Sequence, residues 1–162
     1  MKRILLFFLL LFFNVKSSYA LIEVDITRGN LDPLPIAVSP LHVDIKSEEY
    51  EGLKIKELGS NISKIIERNF KSTGLFNPLA KEAFVQKPDI AHLKPRFEDW
   101  RLIKAQALVT GKLLVKDGKL KIEFRLWDLA AAKEMTALAF TTTPSNWRRV
   151  AHIISDKIYE RL

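Results

Sequence analysis

The sequence predicts an α/β layered domain built on a mixed sheet. Three observations lead to it. Short β-prone runs alternate with helical periodicities along 162 residues, about the size of one compact unit. A long amphipathic stretch between Gly52 and Gly74 carries one apolar stripe, so it can cover a sheet. Asp117-Gly118 stands between two alternating runs, and that tight turn makes at least one strand pair antiparallel.

Taken in order, "LIEVDI" (Leu21–Ile26) alternates apolar and acidic residues and reads as a half-exposed strand, closed by Gly29, Asn30 and Pro33. "LPIAVSPL" is a short apolar run with prolines at both ends, which predicts a buried strand with hard stops. The long helix follows, with Leu58, Ile62, Ile65, Ile66 and Phe70 on one face and Gly74 as a left-handed stop. A polar connection with Pro78, Pro88 and Pro95 leads to a short helix around "FEDWRLIKA". Residues 107–143 then give three strands, with Leu120, Ile122, Phe124 and Leu126 alternating with Lys121, Glu123 and Arg125. The last element is a helix. Ser145 is its expected N-cap, and Trp147, Val150, Ala151, Ile154, Ile158 and Leu162 recur at steps of three and four. The order is β, β, α, α, β, β, β, α.

Residues 1–20 carry an address. Lys2 and Arg3 precede an apolar run from Ile4 to Phe13, and Ser18 and Ala20 occupy the −3 and −1 positions of a cleavage site. A spanning helix needs about 20 apolar residues, and this run is broken by Asn14 and Lys16. A secretory signal cleaved after Ala20 is therefore expected, leaving 21–162 as one domain with no membrane insertion of its own. Three bases and no acid leave with the signal, which lowers the formal charge from +7 to +4. The chain has no cysteine, and so no disulfide, thiol nucleophile, thiolate metal site or lipid-bearing cysteine.

Chemistry is sparse. His42, His92 and His152 stand without a partner at metal-ligand spacing, and the six glycines are isolated rather than gathered in a phosphate-cradling loop. Glu48-Glu49 and Glu98-Asp99 read as solvated or helix-N-terminal charge rather than catalytic pairs. An enzyme, a metal site and a bound cofactor are not expected. Lys112, Lys116, Lys119, Lys121, Arg125 and Lys133 gather on the hairpin, but alternating lysine suits the solvent face of a strand, and an exported chain meets little nucleic acid. Trp100, Trp127 and Trp147 each sit in an apolar rhythm and are assigned to the core. "LIEVDITRGNLD" has two open readings: the edge strand of its own sheet, or a strand offered to another protein.

Five stretches carry a resemblance: "EVDITRGNLDPLPIAV", "STGLFNPL", "ALVTGKL", "IEFRLWD" and "WRRVAHIISDKIYERL". In this order they resemble the amino-terminal domain of the TolB family of the Tol–Pal envelope system. The departure is Lys104, Ala105 and Gln106, where the family has a Gly-Ala-acid turn. The resemblance implies a mixed, roughly five-stranded sheet with helices on both faces. It also implies a non-enzymatic periplasmic adaptor that supports outer-membrane integrity and cell division. It implies two partners. TolA would be reached through Leu21, Ile22, Glu23, Val24, Asp25, Ile26, Thr27, Arg28, Gly29, Asn30, Leu31 and Asp32. Pal would be bound mainly by a β-propeller that has no counterpart in this sequence. On this reading the chain is the amino-terminal domain alone, from a truncated reading frame or a trimmed copy of a longer one. A self-contained secreted solute-binding domain and a non-functional fragment are the alternatives.

Overall fold

The computed structural model describes residues 32–162; the expected signal and the expected first strand, Leu21–Ile26, lie outside the described residues. The run "LPIAV" forms β1 (Leu34–Val38), parallel both to β3 (Phe76–Pro78) and to β4 (Ala107–Lys116). Pro35 lies inside this interior strand, a position that a ring without an N–H usually avoids. It is tolerated at the strand's entry. The Pro35 carbonyl accepts from the Gln106 amide at 2.9 Å, just before β4 begins, so Pro35 points to a side where no ladder acceptor is yet waiting.

After Pro40 the chain rejoins the same edge of β4 as β2 (His42–Val43), paired with Lys112 and Leu113. β4 pairs antiparallel with β5 (Lys119–Asp128), and β5 with β6 (Lys133–Thr142). The order is β3-β1-β4-β5-β6, with β2 beside β4. Six strands, rather than about five, make the described sheet. β2 and β3 have two and three residues, too few for a period-2 pattern to register. The hairpin turn is as expected: Asp117 and Gly118 both have positive φ, 50° and 66°, the geometry of a two-residue turn that matches strand twist.

Helix α1 (Ile55–Thr73) buries Leu58, Ile62, Ile65, Ile66 and Phe70, and Gly74 ends it at φ 70°. Its Gly59 is fixed by space. A Cβ there would lie only 1.9 Å from the Leu41 carbonyl oxygen, so helix and β1–β2 connection approach as closely as their backbones allow. Helices α2 (Pro88–Ala91) and α3 (Phe97–Leu102) are short, and α4 (Trp147–Tyr159) closes the chain. Together α1 and α4 roof one face over a core of Ile36, Val109, Leu113, Ile122, Phe124 and Leu126. The other face carries a smaller core of Ala37, Ala91, Trp100, Leu108 and Leu129 beneath α2 and α3.

Two expectations for the last helix change. Ser145 is not its N-cap: residues Pro144–Asn146 form a 3-10 turn, Asn146 occupies the cap position, and the Ser145 hydroxyl lies 3.1 Å from that of Thr143. Leu162 falls beyond the helix and is half exposed, whereas Trp147, Val150, Ala151, Ile154 and Ile158 are buried. Of the tryptophans, Trp100 and Trp147 are buried, while Trp127 is half-buried with its indole N–H donated to Thr110 at 2.9 Å.

Candidate partner-binding surface

Of the twelve residues expected to meet TolA, Asp32 is described; Leu21 to Leu31, like the cleavage residue Ala20, lie outside the described residues. Asp32 and Pro33 are exposed and lead straight into β1, where the Leu34 amide donates to Leu75 at 2.9 Å. Beside this entry lies an open groove of about 300 Å³ lined by Leu34, Leu75, Phe76, Tyr159 and Leu162. Tyr159 stands edge-on to Phe76, 6.2 Å between ring centres, so the start of β1 and the end of α4 share one apolar corner.

The histidines are less scattered than their spacing suggests. His42 on β2 and His92 after α2 stack face to face, 4.3 Å between ring centres and 2° from parallel. His92 Nδ1 is 2.9 Å from the Pro88 carbonyl, which can only accept, so that nitrogen carries a proton. Burial holds the His42 pKa below its ordinary value, and His92 and Lys112 push the same way against the carboxylates of Asp44 and Asp89. Fifty residues separate the pair, and no local pattern could have joined them. His152 accepts from the Asn69 amide at 3.0 Å on the far side of the molecule. Among the described residues, no three His, Cys, Asp or Glu side chains gather as a metal site.

The basic hairpin residues are partly neutralised by register. Lys112 lies opposite Glu123, whose carboxylate is 2.7 Å from Lys121 and 3.5 Å from Lys112; these contacts, Lys121 foremost, hold its pKa below the ordinary value. Arg125 reaches Glu134 at 3.3 Å. A wider hollow, about 540 Å³, is an open dish along α3 with Arg96, Phe97, Asp99 and Arg101 in its wall. Three of its charged groups are engaged: Arg96 pairs with Asp99 at 2.6 Å, and Arg101 donates to the carbonyls of Leu129 and Ala130. The short helix on this side is legible in the sequence, but what holds it is not. It is organised by Gln86, a buried residue in a polar connection with no periodic signal.

Comparison with known proteins gives these surfaces a family. Residues 22–135 match the family described as the TolB amino-terminal domain. The chain is 65% identical over 159 residues to the Tol-Pal system protein TolB of Pelagibacter ubique (strain HTCC1062), a match that takes in 97% of this chain and 35% of that protein. The chain thus spans about a third of the length of this relative. Among solved structures it is similar to TolB from Acinetobacter baumannii, with TM-score 0.63 and 18% identity over 80% of this chain and 28% of that one. A lipoprotein from Neisseria meningitidis shares the fold at TM-score 0.52 and 10% identity, over 79% of this chain and 99% of that one. At Lys104, where the sequence departs from the family turn, the backbone takes a left-handed φ of 60° and the strand still begins at Ala107. On the family match, the chain belongs to the TolB amino-terminal domain family.

Proposed function

We propose that this chain is a non-enzymatic adaptor of the Tol–Pal system, exported to the periplasm and processed after Ala20. Its new N-terminal segment, Leu21–Asp32, pairs as an added strand with TolA. The observation that carries the reading is the family match, which begins at Ile22 and so takes in all of the segment but Leu21. In strand addition the backbone supplies the ladder and alternate side chains supply fit, so Ile22, Val24 and Ile26 face the partner's apolar side while Glu23 and Asp25 point to solvent or basic rim groups. Pal is engaged mainly by the propeller that longer relatives carry, so this chain serves envelope integrity and cell division through its TolA contact. No helix of the described residues is long and apolar enough to cross a membrane.

Titration of TolA into the processed chain and into a variant lacking residues 21–32, with circular dichroism on both, tests the reading. Binding should vanish in the deletion while the helix and strand signal stays. A deletion that still binds TolA at the original affinity would refute it.

A further inference from the structure

β6 is an outer edge of the sheet, and from Met135 to Trp147 the chain carries no charged residue. Edge strands usually carry a guard such as lysine, proline or a bulge, because their free amides and carbonyls invite another strand. Here guards stand only at the ends. A register shift at Leu126/Trp127 and the Arg161 side chain, which donates to the Met135 carbonyl at 3.3 Å, close the start of β6; Pro144 closes its exit. Thr136–Thr142 lies open between them among the described residues.

The two faces of that stretch differ. On the helix-covered face Leu138 is 40% exposed and Phe140 is half-buried, its ring stacked parallel to Phe124 at 6.2 Å. On the other face Ala137, Ala139 and Thr141 are exposed and small, and sit opposite Arg125, Glu123 and Lys121 of β5. That face of β4 to β6 holds Lys112, Lys116, Lys119, Lys121 and Arg125 against Glu123 and Glu134, with Asp44 beside Lys112 and Lys121, so bases still outnumber acids there.

We propose that Thr136–Thr142 is a docking edge for an extended segment of a partner protein in which apolar and acidic residues alternate. The edge supplies the ladder. Apolar residues of the incoming strand cover Leu138 and Phe140, while its acids lie beside Ala137 and Thr141, where Arg125 and Lys121 exchange Glu134 and Glu123 for them because nothing bulky stands between. Pairing with the β6 edge of a second copy fits less well: the stretch from Met135 to Trp147 offers no acid, and edge-to-edge pairing would bring two basic faces together; Leu21–Ile26 of a second copy, which does alternate apolar and acidic residues, is told apart by the dimer it would give in sedimentation.

The probe is a seven-residue blocked peptide of alternating valine and glutamate, compared with the same peptide carrying lysine for glutamate. Both are titrated into the processed chain by fluorescence anisotropy, with amide hydrogen exchange followed in parallel. The glutamate peptide should bind about tenfold more tightly than the lysine peptide, the preference shrinking as salt rises. New protection should be confined to Thr136–Thr142. Leu138→Lys should abolish binding, and Lys121→Glu with Arg125→Glu should invert the preference, circular dichroism verifying the fold of each. Protection elsewhere, equal binding of the two peptides, or a dimer in sedimentation whose edge is already protected without peptide would overturn the proposal. The wild-type exchange pattern decides the matter even if a variant fails to fold.

Discussion

Gln86 shows how much one side chain can organise where the sequence shows no pattern. From a 2% exposed position its Oε1 accepts from the Arg96 amide at 2.9 Å and the Trp100 indole at 3.0 Å, while Nε2 donates to the Lys94 carbonyl at 3.1 Å. It ties three points of an otherwise irregular cover to one another. Gln86→Ala should cost about 2–4 kcal/mol in urea unfolding, because at least two donors are left without a partner in a buried site. His42 sets a pH dependence. Its folded-state pKa lies below the ordinary 6.5, so the unfolded chain binds that proton more readily. The stabilisation is whole above 6.5 and is lost as pH falls from there through the lower folded value. Melting temperature should therefore drop from pH 7 to pH 5, and His42→Gln should flatten that drop. Glu123 is likewise depressed, but from 4.5, so its contribution fades only below that pH and does not blur the first window.

At the scale of elements, the two ends of α4 separate pattern from position. The stripe Trp147, Val150, Ala151, Ile154 and Ile158 is legible because burial on one helix face imposes a 3.6-residue rhythm. The cap is not. Ser145 has the right side chain, but Pro144 starts a 3-10 turn one step early, which moves the helix start to Trp147 and leaves the serine hydroxyl facing Thr143. Ser145→Ala should therefore change stability by less than about 0.5 kcal/mol, as for an ordinary surface position, instead of the roughly 1 kcal/mol of a lost cap. Thermal melts of the two proteins separate these values. The same contrast holds between β5, ten residues with clean alternation, and β2, two residues that exist only because β4 offers them an edge.

Across the whole molecule, the main core among the described residues is assembled from residues between Ile36 and Ile158, with Leu34 packed against it. On the proposed reading, loss of residues 21–32 should leave the melting temperature within about 3 °C, under 1 kcal/mol for a domain of this size, while TolA binding is lost. A fall of ten degrees or more would mean that the segment belongs to the sheet rather than to the partner. The sequence by itself determined the α/β class, the long and closing helices, the Asp117-Gly118 hairpin and the resemblance that the family match bears out, since periodicity, glycine stops and turn chemistry are local consequences of backbone geometry. Tertiary structure alone decided that β1 lies between β3 and β4, that His42 meets His92, that Gln86 holds the α2–α3 cover, and that the uncharged stretch Thr136–Thr142 lies on an edge of the described sheet. Each of these joins residues far apart in the chain, and strand order and side-chain meeting depend on which surfaces are buried together, a property of the packed whole that no local stretch encodes.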